Sequence, residues 1–317
     1  MTLAFTFPGQ GSQSVGMGKA LADAFPSAKA VFDEVNQALS QDLSALMWDG
    51  PMEELTLTSN TQPALMACAV AAMRALRDEF DVDVTTAKYV AGHSLGEYAA
   101  LCAAGAISLS DTAKLLRIRG DAMQAAVPVG AGAMAALLGA SVEDAEAAAA
   151  AGRELGICQI ANDNAIGQIV LSGEKAAVER AAQAATDMGV KKAMMLAVSA
   201  PFHCDMMAPA AEAMREALAD TDISAPAVPV VNNVTARPTS DPAQIRDDLV
   251  TQVTGRVRWR ESVIWMAEEG GITRMEEPGC GKVLTVMRRR IVKSLEGGTL
   301  DTPETLGAFA NDMKENA

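Results

Sequence analysis

Aromatic residues and histidines are scarce in this chain of 317 residues. Phe, Trp and Tyr together make up 4% of it, and the only two histidines are His93 and His203. Half of the residues are nevertheless apolar, 18 of them methionine. This is enough for a sizeable core of small and flexible side chains, and a disordered chain would lack it. We therefore expect one large α/β domain with an insertion, or two domains that share a cleft.

The cysteines argue against a disulfide framework and against a cysteine metal site. They are odd in number, and no two have the spacing of a metal or redox motif: Cys68, Cys102, Cys158, Cys204 and Cys280. We expect a reducing, cytoplasmic location without a metal. The first residues carry no basic leader or cleavage site, so no signal peptide is expected. No run reaches the roughly 18 apolar residues of a membrane span.

Positive charge is also in short supply. Against 40 Asp and Glu there are 26 Lys and Arg, which gives a formal net charge of −14. Such a chain repels the phosphates of nucleic acids and anionic lipids, so we expect neither nucleic acid nor membrane as a partner. The exception is a basic cluster that is either a solvated helix face or a docking surface: Arg288, Arg289, Arg290 and Lys293.

The apolar pattern predicts an α/β fold with an inserted domain. Short buried strands are expected at 3–7 and 89–91, and helices at 19–39, 61–79 and 110–127, the last capped by Ser110. From about 130 to 197 the order is strand, helix, strand, strand, helix, strand, which is typical of a ferredoxin-like unit. We predict a ferredoxin-like domain at 129–198, inserted into a large α/β domain made of 1–128 and 199–317.

The strongest single motif is Gly92-His93-Ser94-Leu95-Gly96, which has the form G-x-S-x-G. An apolar strand precedes it and an apolar helix follows, as in a nucleophile elbow. The sharp turn exposes the serine hydroxyl, and the N–H of Leu95 at the helix start can stabilise an oxyanion. The alternative is a glycine-rich turn with an incidental serine.

A catalytic serine needs a base, and the chain offers two histidines. The ring of His93 should point away from the Ser94 hydroxyl, because neighbours in an extended segment face opposite sides. By elimination the base is His203, at the edge of the predicted insertion, unless it is a buried structural histidine. More than a hundred residues follow His203, unlike the histidine of ordinary α/β-hydrolases, and a backbone carbonyl can orient its ring.

Arg119 lies on the apolar stripe of the predicted helix at 110–127, with Leu115 and Leu116, whereas Arg117 falls on the polar face. An inward guanidinium needs an anionic partner, and its planar fork suits a carboxylate. The partner is either a protein carboxylate or the carboxylate of a substrate. Next to a catalytic serine, the substrate carboxylate is the sharper hypothesis.

The loop Gly9-Gln10-Gly11-Ser12-Gln13 follows the first strand but lacks the third glycine or the lysine of nucleotide-binding loops. It can still point backbone N–H groups at an anion, so we expect it to supply a second oxyanion donor.

Together these segments resemble the malonyl-CoA:acyl-carrier-protein transacylases over nearly the whole length. The motifs that carry the resemblance are Phe7 to Gln13, Thr61-Gln62-Pro63-Ala64, Gly92 to Tyr98, Arg119 to Gln124, Asn162 to Gly173, Pro201-Phe202-His203 and Gly281 to Leu284. Two loops depart from the family pattern, with Cys280 and Ile166 where proline is usual.

The resemblance implies a hydrolase-like domain with a parallel sheet and a ferredoxin-like insertion. It implies that Ser94 is the nucleophile, His203 the base and Arg119 the ligand of the malonyl carboxylate. The N–H groups of Gln10 and Leu95 would form the oxyanion hole, and the main-chain carbonyl of Gln252 would orient His203. Malonyl-CoA and acyl carrier protein would be the partners, in a ping-pong reaction that needs no metal or redox cofactor and supplies fatty-acid synthesis.

Three alternatives stay open from the sequence. They are a serine thioesterase or esterase, a non-catalytic carrier-binding module, and a transacylase of polyketide rather than fatty-acid synthesis. The start at Met1 and the end soon after the last motif favour a stand-alone enzyme. Because carrier proteins of this kind are acidic, docking needs a local basic surface. The candidates are Arg288, Arg289, Arg290 and Lys293, followed by Lys191 and Lys192.

Overall fold

A computed structural model describes residues 2–198 and 200–315. Ser199, where the large domain was predicted to resume, lies outside the described residues. The described chain forms ten strands: β1 (Leu3–Phe7), β2 (Tyr89–Gly92), β3 (Gly132–Leu138), β4 (Cys158–Ala165), β5 (Gln168–Glu174), β6 (Lys192–Met195), β7 (Val230–Val231), β8 (Pro238–Thr239), β9 (Arg274–Pro278) and β10 (Thr299–Leu300).

Helices surround these strands. They are α1 (Lys19–Ala24), α2 (Pro26–Leu39), α3 (Leu43–Asp49), α4 (Met52–Thr56), α5 (Thr58–Phe80), α6 (Leu95–Ala103), α7 (Leu109–Ala125), α8 (Val142–Gly152), α9 (Lys175–Asp187), α10 (Ala208–Ala219), α11 (Pro242–Thr254), α12 (Trp259–Glu268), α13 (Val283–Ile291) and α14 (Pro303–Glu315), with short 3₁₀ turns at Val84–Thr86 and Asp205–Met207. None of the helices in the described ranges is both long and apolar enough to cross a bilayer.

The larger sheet has the order β10-β9-β1-β2-β7-β8 and is parallel except for β8 at its edge. Strand β1 is buried at every position because helices cover both faces. Leu3, Phe5 and Phe7 point into one core with α5, whereas Ala4 points into a second core with Trp259 of α12. The sheet thereby delivers the carboxyl ends of β1, β2 and β7 to one edge, where the candidate site lies.

The smaller sheet is antiparallel, with the order β4-β5-β3-β6. On β3, Ala135 and Leu137 pack toward α8 and α9, while Met134 and Ala136 face Phe202 and the segment after β6. This is the ferredoxin-like arrangement, so the predicted fold class, a hydrolase-like parallel sheet with a ferredoxin-like unit, is confirmed.

Strand β4 of the smaller sheet is joined to the segment after α11 and to α12 by backbone hydrogen bonds and by an ion pair. Asp163 of β4 donates its N–H to the carbonyl of Val257 at 2.9 Å, and Val257 donates to Ala161 at 2.8 Å. Beside them Arg260 of α12 binds the buried Asp163 carboxylate at 2.8–3.1 Å. These contacts fasten the smaller sheet to α12, which itself packs against the larger sheet through Trp259.

Two predicted helix boundaries were wrong. The helix expected at 19–39 is interrupted at Phe25, whose backbone is extended, because Pro26 starts a new helix and has no N–H to continue the old one. The helix expected from Ser110 starts at Leu109 and is capped by Ser108, whose hydroxyl accepts from the N–H of Asp111 at 3.1 Å.

Candidate active site

Ser94 sits on a strained turn between β2 and α6. Its φ of 54° and ψ of −113° are unusual for a residue with a side chain, and such strain costs about 1–3 kcal/mol. Two glycines make the turn possible. A Cβ on Gly92 would lie 1.9 Å from the carbonyl carbon of Gly96, and one on Gly96 would lie 2.2 Å from the carbonyl oxygen of Phe7.

Asn233 lies just after β7, and its side chain forms hydrogen bonds with the backbone of the turn that carries Ser94. Its Oδ1 accepts from the N–H of Ser94 at 2.7 Å, and its Nδ2 donates to the carbonyl of Gly92 at 2.6 Å. Reasoning from the sequence did not find Asn233. The available signal was a polar pair, Asn232-Asn233, directly after a buried strand.

His203 touches Ser94 directly. Its Nε2 lies 2.7 Å from Ser94 Oγ, and its Nδ1 lies 2.9 Å from the main-chain carbonyl of Gln252. A carbonyl only accepts, so Nδ1 carries the proton and Nε2 is free to accept from the serine. Burial, with the positive charge of Arg119, lowers the pKa of His203 to about 3. The ring is therefore neutral at physiological pH and in the tautomer of a general base.

Arg119 of α7 reaches the same hydroxyl from another side. Its Nη2 donates to Ser94 Oγ at 3.1 Å and to Gln252 Oε1 at 2.9 Å, and its Nη1 donates to Gln62 Oε1 at 2.7 Å. The side chain is buried, yet it forms no ion pair with a carboxylate of the described residues. Neutral carboxamides thus fix the guanidinium and leave its charge available to an anion.

The site opens into a cavity of about 200 Å³. Gly9, Gln10 and Leu95 line it beside Ser94, so the two N–H groups expected to bind an oxyanion border the same space. Leu95 is the first residue of α6 and its N–H has no acceptor within the helix. The rest of the wall is mostly apolar and comes from the smaller sheet, the segment after β6, α7 and α13, including Met123, Met134, Val170, Leu196, Val198, Phe202, Val283, Leu284 and Met287.

His93 is turned away from the Ser94 hydroxyl. Its Nε2 lies 2.7 Å from Asn164 Oδ1, and its ring packs edge-on against Trp259. Burial lowers the pKa of His93. Its position supports the structure of the cavity wall rather than proton transfer at Ser94.

The basic cluster is not one continuous surface. Arg288 is 3% exposed and donates to the carbonyls of Leu295 at 2.5 Å and Gly297 at 3.0 Å. The expectation that Arg288 belongs to an exposed docking surface is therefore wrong, because this guanidinium closes the turn after α13. Arg289, Arg290 and Lys293 are exposed, as are Lys191 and Lys192.

Two of the exposed cations, Arg290 and Lys192, can be placed relative to the smaller sheet. Arg290 donates to Gln168 Oε1 at 3.2 Å at the start of β5. Gln168 pairs with Leu138 of β3, which pairs with Lys192 of β6, so Lys192 lies two strands, about 10 Å, from Gln168. Arg290 and Lys192 thus lie at the same end of the smaller sheet, and none of the five exposed cations lines the cavity.

No group of three or more His, Cys, Asp or Glu side chains able to hold a metal occurs within residues 2–198 and 200–315. All five cysteines are free.

Comparison with known proteins adds three findings. Residues 4–279 match the acyl transferase domain family. The malonyl CoA-acyl carrier protein transacylase of Bacillus subtilis strain 168 is 43% identical over 99% of this chain and 98% of its own length. The acyl-carrier-protein S-malonyltransferase of Bartonella henselae is 52% identical, with a TM-score of 0.96 over 99% of this chain and all of that one.

A solved complex is also similar. It holds a malonyl-transacylase bound to its type II polyketide-synthase acyl-carrier protein, and its transacylase is 40% identical to this chain, with a TM-score of 0.95 over 98% of this chain and all of that one.

Proposed function

The chain belongs to the acyl transferase domain family, and from that premise we propose that it moves a malonyl group from malonyl-CoA to acyl carrier protein through an ester on Ser94. The observation that carries this proposal is that an imidazole and a guanidinium both contact the hydroxyl oxygen of Ser94. His203 Nε2 and Arg119 Nη2 lie 2.7 and 3.1 Å from Ser94 Oγ. One supplies a base, the other a fixed positive charge.

In the first half-reaction His203 takes the Ser94 proton as Oγ attacks the malonyl thioester carbonyl. The N–H groups of Gln10 and Leu95 bind the tetrahedral oxyanion. The carbon–sulfur bond then breaks, and coenzyme A leaves as the thiol with the proton from His203 Nε2. In the second half-reaction the phosphopantetheine thiol of the carrier gives its proton to His203 and attacks the ester, and Ser94 regains the proton. The reaction uses no metal or redox cofactor, and coenzyme A enters as part of the substrate.

Arg119 assists this chemistry in two ways. It binds the malonyl carboxylate, which an acetyl group cannot offer. After burial, the charge of Arg119 is the second cause that lowers the pKa of His203. The bound carboxylate offsets that charge. Binding of the correct substrate thus strengthens the base that must attack it.

The carrier protein docks on exposed cations: Arg289, Arg290, Lys293, Lys191 and Lys192. Their positive charge suits an acidic partner whose pantetheine arm must reach Ser94. We assign the enzyme to fatty-acid synthesis and to the cytoplasm, where five free thiols suit the reducing conditions. Polyketide synthesis is the alternative, and a polyketide carrier tested beside a fatty-acid carrier distinguishes the two.

Mass spectrometry after brief exposure to malonyl-CoA tests the central step. We expect a malonyl adduct on Ser94 of the wild-type protein, its loss on addition of carrier protein with malonyl-carrier as product, and no adduct on Ser94→Ala. Rapid release of free malonate without carrier would favour a thioesterase instead. Absence of any adduct on the wild-type protein would favour a non-catalytic carrier-binding module.

A further inference from the structure

Glu97, three residues after the nucleophile Ser94, carries a buried carboxyl group. It lies in the first turn of α6 and is 2% exposed. Its Oε2 accepts from the backbone N–H of Asn233 at 3.0 Å and from Gln252 Nε2 at 2.9 Å. No Lys or Arg of the described chain forms an ion pair with it.

The side chain of Gln252 connects Glu97 to Arg119. Its Oε1 accepts from Arg119 Nη2 at 2.9 Å, while its Nε2 donates both to Glu97 and to the carbonyl of Ser94 at 3.1 Å. One carboxamide therefore separates a buried guanidinium from a buried carboxyl. Because a buried cation without a counter-charge is costly, Glu97 is well placed to balance Arg119 in the unloaded site.

Glu97 changes charge near neutrality, whereas its neighbours Tyr98 and His203 do not; burial raises the pKa of the facing Asp248 as well. Burial raises the pKa of Glu97 to about 7, with Asp248 of α11 adding to the rise and Arg119 of α7 opposing it. Burial also raises the pKa of its neighbour Tyr98, which stays protonated, and lowers that of His203 to about 3, which stays neutral. Asp248 is the remaining acid, and it is bonded to Asn232 and Gln244 at 2.8 Å.

We propose that Glu97 is the counter-charge of Arg119 in the unloaded enzyme and takes up one proton from solvent when the malonyl carboxylate replaces it. The inference rests on the proposed function, because it requires a malonyl ester on Ser94. Without the proton, two carboxylates would share one buried guanidinium and leave a net negative charge in the site. An acetyl ester brings no carboxylate and leaves the pair of Arg119 and ionised Glu97 unchanged.

The proton balance makes the proposal measurable. Transfer of malonyl from coenzyme A to Ser94 exchanges a hydroxyl proton for a thiol proton, so the transfer itself consumes none. Partial ionisation of the released thiol is the same for malonyl-CoA and acetyl-CoA. The difference in proton uptake between the two substrates, per ester formed, therefore reports the groups that respond to the malonyl carboxylate, and its loss in Glu97→Gln assigns it to Glu97.

The experiment records proton uptake with an indicator dye in weakly buffered solution and counts esters by mass spectrometry. For wild-type enzyme we expect malonyl loading to take up about half a proton more than acetyl loading at pH 7, since half of Glu97 is then ionised. The excess should approach one proton at pH 8 and fall toward zero at pH 6. Glu97→Gln should abolish it, and Asp248→Asn should retain it.

Several results would overturn the inference while leaving the proposed function intact. They are a malonyl ester that forms with no excess uptake, an excess independent of pH between 6 and 8, and an excess that survives in Glu97→Gln or disappears in Asp248→Asn. The wild-type pH series decides the matter even if Glu97→Gln does not fold. Failure to form any ester would instead reject the proposed function.

Discussion

The side chain of Asn233 bonds to the backbone on both sides of the turn that carries Ser94. Oδ1 accepts the Ser94 N–H at 2.7 Å while Nδ2 donates to the Gly92 carbonyl at 2.6 Å. The same residue's own N–H is held by Glu97 at 3.0 Å. Asn233, which follows β7, therefore connects that strand to the strained turn. Its hydrogen bonds help to offset the conformational energy of the positive φ at Ser94.

Asn233→Ala should lower kcat for malonyl and acetyl transfer by similar factors, about tenfold or more. The buried N–H of Ser94 and carbonyl of Gly92 would lose their partners, at a cost of about 1–3 kcal/mol each, and the elbow would relax. Steady-state kinetics with both substrates checks this. Asn232→Ala is the matched control. Asn232 is the preceding residue and is also buried, but its side chain forms hydrogen bonds with its own loop and with Asp248. An unchanged kcat in Asn233→Ala would show that Asn233 does not position Ser94.

Arg119→Ala should lower malonyl transfer by on the order of 100-fold, because the substrate carboxylate loses its fixed charge. Acetyl transfer should fall less, or rise, since an acetyl group has no carboxylate for the guanidinium to bind. Arg117→Ala on the same helix is the control. It is half-buried, its Nη2 bonds to Gln41 and it does not line the cavity. Equal losses for both acyl groups in Arg119→Ala would reject its role in selectivity.

The features that the sequence predicted best are local. The elbow can be predicted because a strand-to-helix turn that needs a glycine on each side of the nucleophile has a characteristic five-residue pattern, G-x-S-x-G. The inward position of Arg119 follows from helical spacing against Leu115 and Leu116, and both leucines are buried with it. The fold class follows from the order of strands and helices, which limits the possible sheets.

The features that the sequence missed depend on strand order and on side-chain direction. Asn233 and Glu97 meet only because β7 lies beside β2, and no spacing along the chain encodes that neighbourhood. Arg288 was missed for another reason. It shares a face of α13 with the buried Leu284 and Ile291, so helical periodicity indicated an inward arginine, but the run of three arginines was interpreted as one surface.

Gly96→Ala should unfold the elbow or block expression of folded protein. Its Cβ would lie 2.2 Å from the Phe7 carbonyl oxygen, so β1 and α6 would have to separate. Gly307→Ala is the control, because its Cβ meets nothing closer than 3.7 Å in α14. A helical Gly→Ala change should be neutral or stabilise by up to about 1 kcal/mol. Thermal unfolding of the two variants makes the comparison, and a Gly96→Ala protein as stable as wild type would contradict the packing described here.

Replacing Arg289, Arg290 and Lys293 together by Gln should raise KM for the carrier protein several-fold and leave transfer to free pantetheine unchanged. The cations steer an acidic carrier but touch no reacting atom, and the effect should shrink at high salt. Arg215→Gln on α10 is the control, since Arg215 is also exposed and forms an ion pair with Glu212 on its own helix. Equal losses with both acceptors would show that these residues act on the active site rather than on docking.

The stability of Glu97→Gln relative to the wild-type protein should increase as the pH rises. The folded state holds the pKa of Glu97 at about 7, above its usual 4.5, because burial disfavours the charge. The folded state therefore binds the proton more tightly, and the stability gained from it is complete below pH 4.5 and lost as the pH rises to 7. Glutamine keeps the shape without the proton, so the variant escapes this loss, which is on the order of 3 kcal/mol. His203 changes stability with the opposite sign below pH 6.5, but it is present in both proteins and cancels in the difference. Urea unfolding of both proteins from pH 4.5 to 8 measures that difference, and a constant value across the range would mean that Glu97 is not buried as a titrating acid.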